Sequence, residues 1–169
     1  AARARTAARI AAVTGSVGKT STKEALRAVL SQFGATYASI GNLNNQWGAP
    51  LSLARMPRDS RYGVFELGMN HAGEISPLSQ MVRPQVAIIT TVEPVHIEFF
   101  ASVEGIADAK AEIFDGLQPN GTAILPFDNP HFARLEGKAK RMGARVLTFG
   151  AGDGAWARLL DCQVAPTGT

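Results

Sequence analysis

The clearest chemistry in the chain lies in one stretch, Thr14-Gly15-Ser16-Val17-Gly18-Lys19-Thr20, set between an apolar run and a helical pattern. Gly15 and Gly18 let the backbone bend closely around an anion. The loop N–H groups and the positive end of the following helix attract that anion. Lys19 then reaches the outer phosphates of a nucleotide, and the Thr20 hydroxyl reaches a magnesium ion. The strict phosphate-loop pattern asks for a glycine at position 13, where this chain has Val13. A plain strand-to-helix turn with a surface lysine is the competing account. Gly-Lys-Thr directly after an apolar strand favours the phosphate loop, with Gly15, Ser16, Val17, Gly18, Lys19, Thr20 and Ser21 as the nucleotide-binding set.

One hydroxyl does not fix a magnesium ion well, and a carboxylate usually completes the site. Glu66 ends the apolar run Tyr62-Gly63-Val64-Phe65, and a carboxylate at a strand tip beside a phosphate loop plays a Walker-B-like role. An ordinary exposed strand-end glutamate fits the same spacing. His96 closes the loop Val92-Glu93-Pro94-Val95-His96 and is a candidate metal ligand; His71 and His131 are weaker ones. Lys110 shares a helix face with Ile106, Ile113 and Phe114 through i, i+3 and i+4 spacing. Either its stem snorkels past them to water, or the amine is half-buried, sheds its charge readily and becomes open to chemical modification.

These residues need a frame. Strands are expected at 9–14, 35–40, 62–67, 86–91, 121–125 and 145–149. Helices are expected at 20–33, 50–55, 73–81, 102–117 and 130–142, with Ser102 as an N-cap. In the first helix Ala25, Leu26, Val29, Leu30 and Phe33 recur at helical spacing, and Gly34 stops it. The fold class that follows is α/β, a mostly parallel sheet with helices on both faces. Ligands of such sheets bind beyond the carboxyl ends of the strands. The segments 14–20, 41–48, 68–71 and 91–96 each follow a strand, so all four should gather at one rim.

At 169 residues the chain can bury one sizeable core and is too short for two full-sized ones. With 46% hydrophobic and 18% charged residues it reads as a folded globular protein. The net charge of +3 is spread out and the aromatic content is 7%, which argues against a nucleic-acid partner. The apolar runs are strand-sized, against the ~20 residues of a membrane helix. One cysteine, Cys162, allows no internal disulfide and suggests a reducing, cytoplasmic setting. Residues 1–8 read as the end of a helix or linker from a preceding domain. Residues 9–169 read as a nucleotide-binding domain cut short at its C-terminal side.

Taken together, these motifs resemble the central, ATP-binding domain of the Mur ligases, the P-loop NTPase-like enzymes that form amide bonds in cell-wall synthesis. The likeness covers nearly all of residues 9–150. It rests on Thr14-Gly15-Ser16 in a phosphate loop that also lacks the first glycine, and on the Asn-rich loop Gly41-Asn42-Leu43-Asn44-Asn45-Gln46-Trp47-Gly48-Ala49-Pro50. The stretch Glu66-Leu67-Gly68-Met69-Asn70-His71-Ala72-Gly73-Glu74-Ile75 is similar to that of the branch which adds D-Ala-D-Ala to UDP-MurNAc-tripeptide. The resemblance implies that Lys19 holds the ATP phosphates and that Thr20 and Glu66 hold one Mg²⁺. It implies that His96 helps bind a second Mg²⁺, that Lys110 is carried as a carbamate near the metals, and that Asn44 and Asn45 hold phosphate or the substrate carboxylate. Lys19, Lys110 and His96 form the implied catalytic set. Two positions depart from the family pattern: Glu93 before His96, and Pro126-Phe127-Asp128-Asn129 after the fifth strand. The implied reaction passes through an acyl phosphate. The isolated segment is expected to be inactive and to self-associate weakly through surface that other domains would cover. A sister ligase, a folylpolyglutamate synthase-like enzyme and a non-catalytic nucleotide-binding module stay open as alternatives; the last has no need of Glu66, His96 and Lys110 together.

Overall fold

The computed structural model describes residues 2–41, 43–95 and 99–162. Seven strands, β1 (Arg9–Thr14), β2 (Thr36–Ala38), β3 (Tyr62–Glu66), β4 (Val86–Ile89), β5 (Thr122–Pro126), β6 (Arg145–Gly150) and β7 (Ala157–Arg158), form one sheet. Their order is β2-β3-β1-β4-β5-β6-β7, and each pairing is parallel. The helices are α1 (Lys19–Leu30), α2 (Gly48–Arg55), α3 (Ile75–Val82), α4 (Val103–Ala111) and α5 (Phe132–Arg141). The expected α/β architecture is therefore present. β1 and β3 are nearly continuous apolar runs because each lies inside the sheet with both faces covered. After β1 the chain runs outward to β2, returns through β3, and crosses to β4 on the other side of β1. The carboxyl end of β1 thus sits where the winding direction reverses, the place such sheets reserve for ligands.

The two faces are covered unequally. On one, Ile10, Ala12, Phe65, Ala87, Ile89 and Leu125 meet apolar residues of α2 to α5. On the other, Val13, Val64 and Ile88 meet Leu26 and Leu30 of α1. Here the structure departs from expectation. α1 ends at Leu30, and Val29 and Phe33 are 58% and 62% exposed, while the buried residue of this helix is Lys23. Residues 26 and 30 form one stripe and 25, 29 and 33 the next, about 100° round the helix; the sheet takes only the first.

The helix expected at 102–117 is α4 followed by a 3-10 segment, Glu112–Gly116. Ser102 caps it as expected, its Oγ accepting from Gly105 N at 3.3 Å. Arg3–Arg5 form a single 3-10 turn. The Arg3 guanidinium donates to Val82 O at the end of α3, and that of Arg5 to Leu53, Ala54 and Met56 carbonyls at the end of α2. Both cations satisfy carbonyls that a helix C-terminus leaves without partners.

Candidate functional site

β1 delivers the chain into Gly15, and Gly18, at φ 83, starts α1 from the left-handed region that favours glycine. A Cβ on Gly15 would overlap the Thr90 hydroxyl, which donates to Val17 O. Ser16 is 8% exposed, and its hydroxyl donates to Glu93 O (3.0 Å) and accepts from Glu93 N (2.9 Å). Ser16 N also donates to Thr91 O at 2.9 Å. Residues 90–93 therefore strap the loop from behind and hold its shape, so Ser16 fastens the loop through its side chain. Val17 and Ser21 of the expected set are exposed.

Lys19 Nζ folds over the loop and donates to Gly15 O (2.8 Å) and Ser16 O (3.2 Å). Burial lowers its pKa, and the charge of Glu66 opposes that shift. Glu66 is only 3% exposed, so it is not a surface strand-end residue. Its Oε2 accepts from Thr20 Oγ1 at 2.9 Å, its Oε1 from Asn44 Nδ2 at 2.8 Å, and its N–H donates to Ser39 Oγ at 3.1 Å. A buried carboxylate against a hydroxyl, beside a phosphate loop, is the hard-oxygen donor set that magnesium prefers. Among the described residues no group of three or more His, Cys, Asp or Glu could hold a metal ion, so nothing there resembles a zinc-type cluster.

Lys110 completes the arrangement. It is 4% exposed, and its pKa falls to about 8, chiefly through burial and secondly through the charge of Lys19. A polar cavity of about 130 Å³ is lined by Thr14, Lys19, Asn44, Asn70 and Lys110, among others. It unites the loops after β1, β2 and β3 with α4, as the topology requires. A larger cleft of about 420 Å³, with Arg9, Tyr62, Gln85 and Asn120 in its wall, lies at the opposite, amino ends of the strands. Chemistry and topology, not size, make the smaller one the candidate site.

The other expected residues divide. Asn44 reaches the site, and its contact there is to Glu66. Asn45 Oδ1 instead accepts from Trp47 N (3.1 Å) and Gly48 N (2.9 Å) and shapes the start of α2. His96 lies outside the described residues. His71 stands exposed on the rim, its Nδ1 3.1 Å from Glu74 Oε1 and its ring 4.8 Å from that of Phe99. His131 N donates to Asn129 Oδ1 at 3.0 Å, at the start of α5. Of the two departing positions, Glu93 accepts from Thr91 Oγ1 through its carboxylate, and Asn129 Nδ2 donates to Val92 O at 3.1 Å. One residue went unnoticed in the sequence. The Glu112 carboxylate accepts from Gly73 N (2.6 Å), Ile75 N and Ser76 N (both 3.1 Å), clamping the start of α3 beside Lys110. An acid inside an expected helix, 102–117, carries no signal of that role.

Comparison with known proteins follows the same residues. The model of the Mur ligase middle domain matches residues 13–169. The UDP-N-acetylmuramoyl-tripeptide–D-alanyl-D-alanine ligase of Rickettsia prowazekii (strain Madrid E) is 44% identical over 154 residues, 90% of this chain and 34% of that protein. The crystal structure of MurF from Acinetobacter baumannii superposes with a TM-score of 0.92 at 36% identity, covering 98% of this chain and 36% of that one. MurF from Thermotoga maritima, solved with ADP, gives a TM-score of 0.84 at 32% identity over 95% of this chain and 37% of that one. The chain thus spans about a third of the length of these relatives. Matched by the family model along nearly its whole length and by these relatives in fold, the chain belongs to the Mur ligase family, as a middle domain.

Proposed function

We propose that this domain binds Mg²⁺-ATP for an amide-bond ligase of peptidoglycan precursor synthesis, one that joins D-Ala-D-Ala to UDP-MurNAc-tripeptide in the cytoplasm. The observation that carries the reading is one cavity beyond β1 and β3 lined by Lys19, Asn44 and Lys110, with the Thr20–Glu66 pair tied to it through Asn44. The names of the relatives, and the ADP in one of them, support the choice of nucleotide and substrates.

In this reading the terminal carboxylate of the tripeptide attacks the γ-phosphorus, the bond to the bridging oxygen of ADP breaks, and an acyl phosphate forms. The amine of D-Ala-D-Ala then adds to the acyl carbon, and phosphate leaves with its electron pair. Lys19 swings off the Gly15 and Ser16 carbonyls to the phosphates and neutralises charge that grows on the transferred group. Thr20 and Glu66 hold Mg²⁺, which when bound screens the phosphate oxygens and fixes their orientation. Lys110 has a buried amine whose lowered pKa leaves a neutral fraction near pH 7, as reaction with CO₂ requires. As a carbamate it would change from a second cation beside Lys19 to an anion facing the metals, with His96 as a further ligand. The remaining two thirds of the enzyme would bring the UDP-sugar peptide and D-Ala-D-Ala to this site, so the segment alone would bind nucleotide without ligating.

Calorimetric titration with Mg²⁺-ATP tests this directly. The wild-type chain should bind, and Lys19→Ala should lose at least tenfold in affinity, the loss of one charged hydrogen bond or more. Equal affinities would remove the phosphate-loop assignment.

A further inference from the structure

Lys23 has no exposed surface, and nothing in the proposed reaction uses it. A buried ammonium must find acceptors or leave its charge uncompensated. Its Nζ donates to the Gly41 carbonyl at 3.1 Å and lies 3.3 Å from Glu24 Oε1. Glu24 is half-exposed and is also bonded by Arg27 at 2.7 Å, so the contact that leaves the helix is the one to Gly41. An apolar side chain would fill this helix position without that desolvation. The charge therefore has to be understood from what Gly41 belongs to.

Gly41 opens the loop that wraps Glu66. Before it, Ser39 N donates to Val64 O (2.9 Å), and Ser39 Oγ accepts from Glu66 N. After it, Asn44 Nδ2 donates to Glu66 Oε1, and Asn44 O accepts from Gly68 N at 2.8 Å. β3 thus grips the loop at both ends, and Lys23 grips it between them. Lys23 stands one helical turn from Lys19 and Thr20, so a single rigid helix carries both the phosphate-side groups and the anchor of the loop that aims Asn44.

We propose that Lys23 is a positioning residue of the metal-nucleotide site: its bond to Gly41 locks the Asn-rich loop to α1, so that Asn44 fixes the Glu66 carboxylate against Thr20. The inference rests on the reading of Thr20 and Glu66 as magnesium donors, but its loop-locking part can be measured without a ligand.

Lys23→Met keeps the length and apolar stem and removes the charge. Hydrogen exchange of the Gly68 amide, whose acceptor is Asn44 O, should speed up about tenfold, as for the loss of one charge-assisted hydrogen bond. The Thr90 amide, bonded to Thr14 O across β1, should keep its rate. The ratio of ADP affinities with and without Mg²⁺ should fall by a similar factor, and adding Asn44→Ala to Lys23→Met should lower it no further. Unchanged exchange at Gly68 overturns the proposal. So does equal acceleration at Gly68 and Thr90, which would mean general loosening, and so does full additivity of the two substitutions. If Lys23→Met does not fold, Lys23→Gln, whose amide donor is uncharged and one bond short of the ammonium that meets Gly41 O, should give an intermediate Gly68 rate; a wild-type rate despite that weakened bond overturns the proposal equally. Should the wild-type chain bind ADP no better with Mg²⁺ than without, the metal reading fails, and the Gly68 exchange alone still decides whether Lys23 locks the loop.

Discussion

Replacing Lys110 by methionine should stabilise the ligand-free chain at neutral pH. In the folded state burial and the nearby Lys19 charge bring the Lys110 pKa from 10.5 to about 8. The unfolded chain has neither influence. Below pH 8 both states carry the proton, and the folded state bears the whole penalty of a buried cation. At about 1.4 kcal/mol per pH unit, the distance between 10.5 and 8 corresponds to a ceiling of roughly 3 kcal/mol. Methionine matches the lysine stem in volume, and imperfect packing takes back about 1 kcal/mol, leaving a gain of roughly 2 kcal/mol. Between pH 8 and 10.5 the unfolded state binds more protons than the folded one, so wild-type stability rises with pH relative to the variant. At pH 9.5 about half of the penalty is gone by the same linkage. Urea unfolding of both proteins at pH 7 and pH 9.5, in CO₂-free buffer so that the amine stays unmodified, measures the difference. For a chain of this size the neutral-pH gain also appears as a rise of roughly 4–8 °C in melting temperature. A variant that is less stable at pH 7, or whose advantage does not shrink at pH 9.5, would refute the account of Lys110 as a desolvated amine held beside Lys19.

Two further outcomes test the scaffold. Glu112→Ala removes both acceptor oxygens from three backbone N–H groups at the start of α3 and should cost about 2–3 kcal/mol in urea unfolding; Glu112→Gln, which keeps one acceptor oxygen, should cost less, and equal effects would show that the clamp is not what matters. Gly15→Ala drives a methyl into the Thr90 hydroxyl and should weaken Mg²⁺-nucleotide binding by tenfold or more, with part of the loss restored by Thr90→Ala in the same chain. No restoration would place the strain elsewhere in the loop.

The turn between β1 and α1 was legible in the sequence because its residues are contiguous: two glycines for the bend, then Lys19 and Thr20 on the first turn of a helix. The alternation of strands and helices was legible for the same local reason. Glu66 was not decidable that way. Its exposure depends on residues 39–44, which fold over it through Ser39 and Asn44, and nothing within five residues of Glu66 announces that. The two buried lysines make the contrast sharpest. Lys110 sits among Ile106, Ile113 and Phe114, so periodicity places it on the core side, and the structure buries it there. Lys23 lies three residues before Leu26 and seven before Leu30, so it shares their stripe, but which stripe of α1 faces the sheet is not set within the helix, and its acceptor lies on a loop 18 residues later. Helical spacing reports which stripe a sheet will take only when a single stripe is apolar. α1 offers two, and the choice of Leu26 and Leu30 over Val29 and Phe33 turns Lys23 to the side where the Gly41 carbonyl accepts its hydrogen bond. The orientation of this helix is therefore fixed from two sides, by apolar packing on the sheet and by one charged bond to the Asn-rich loop.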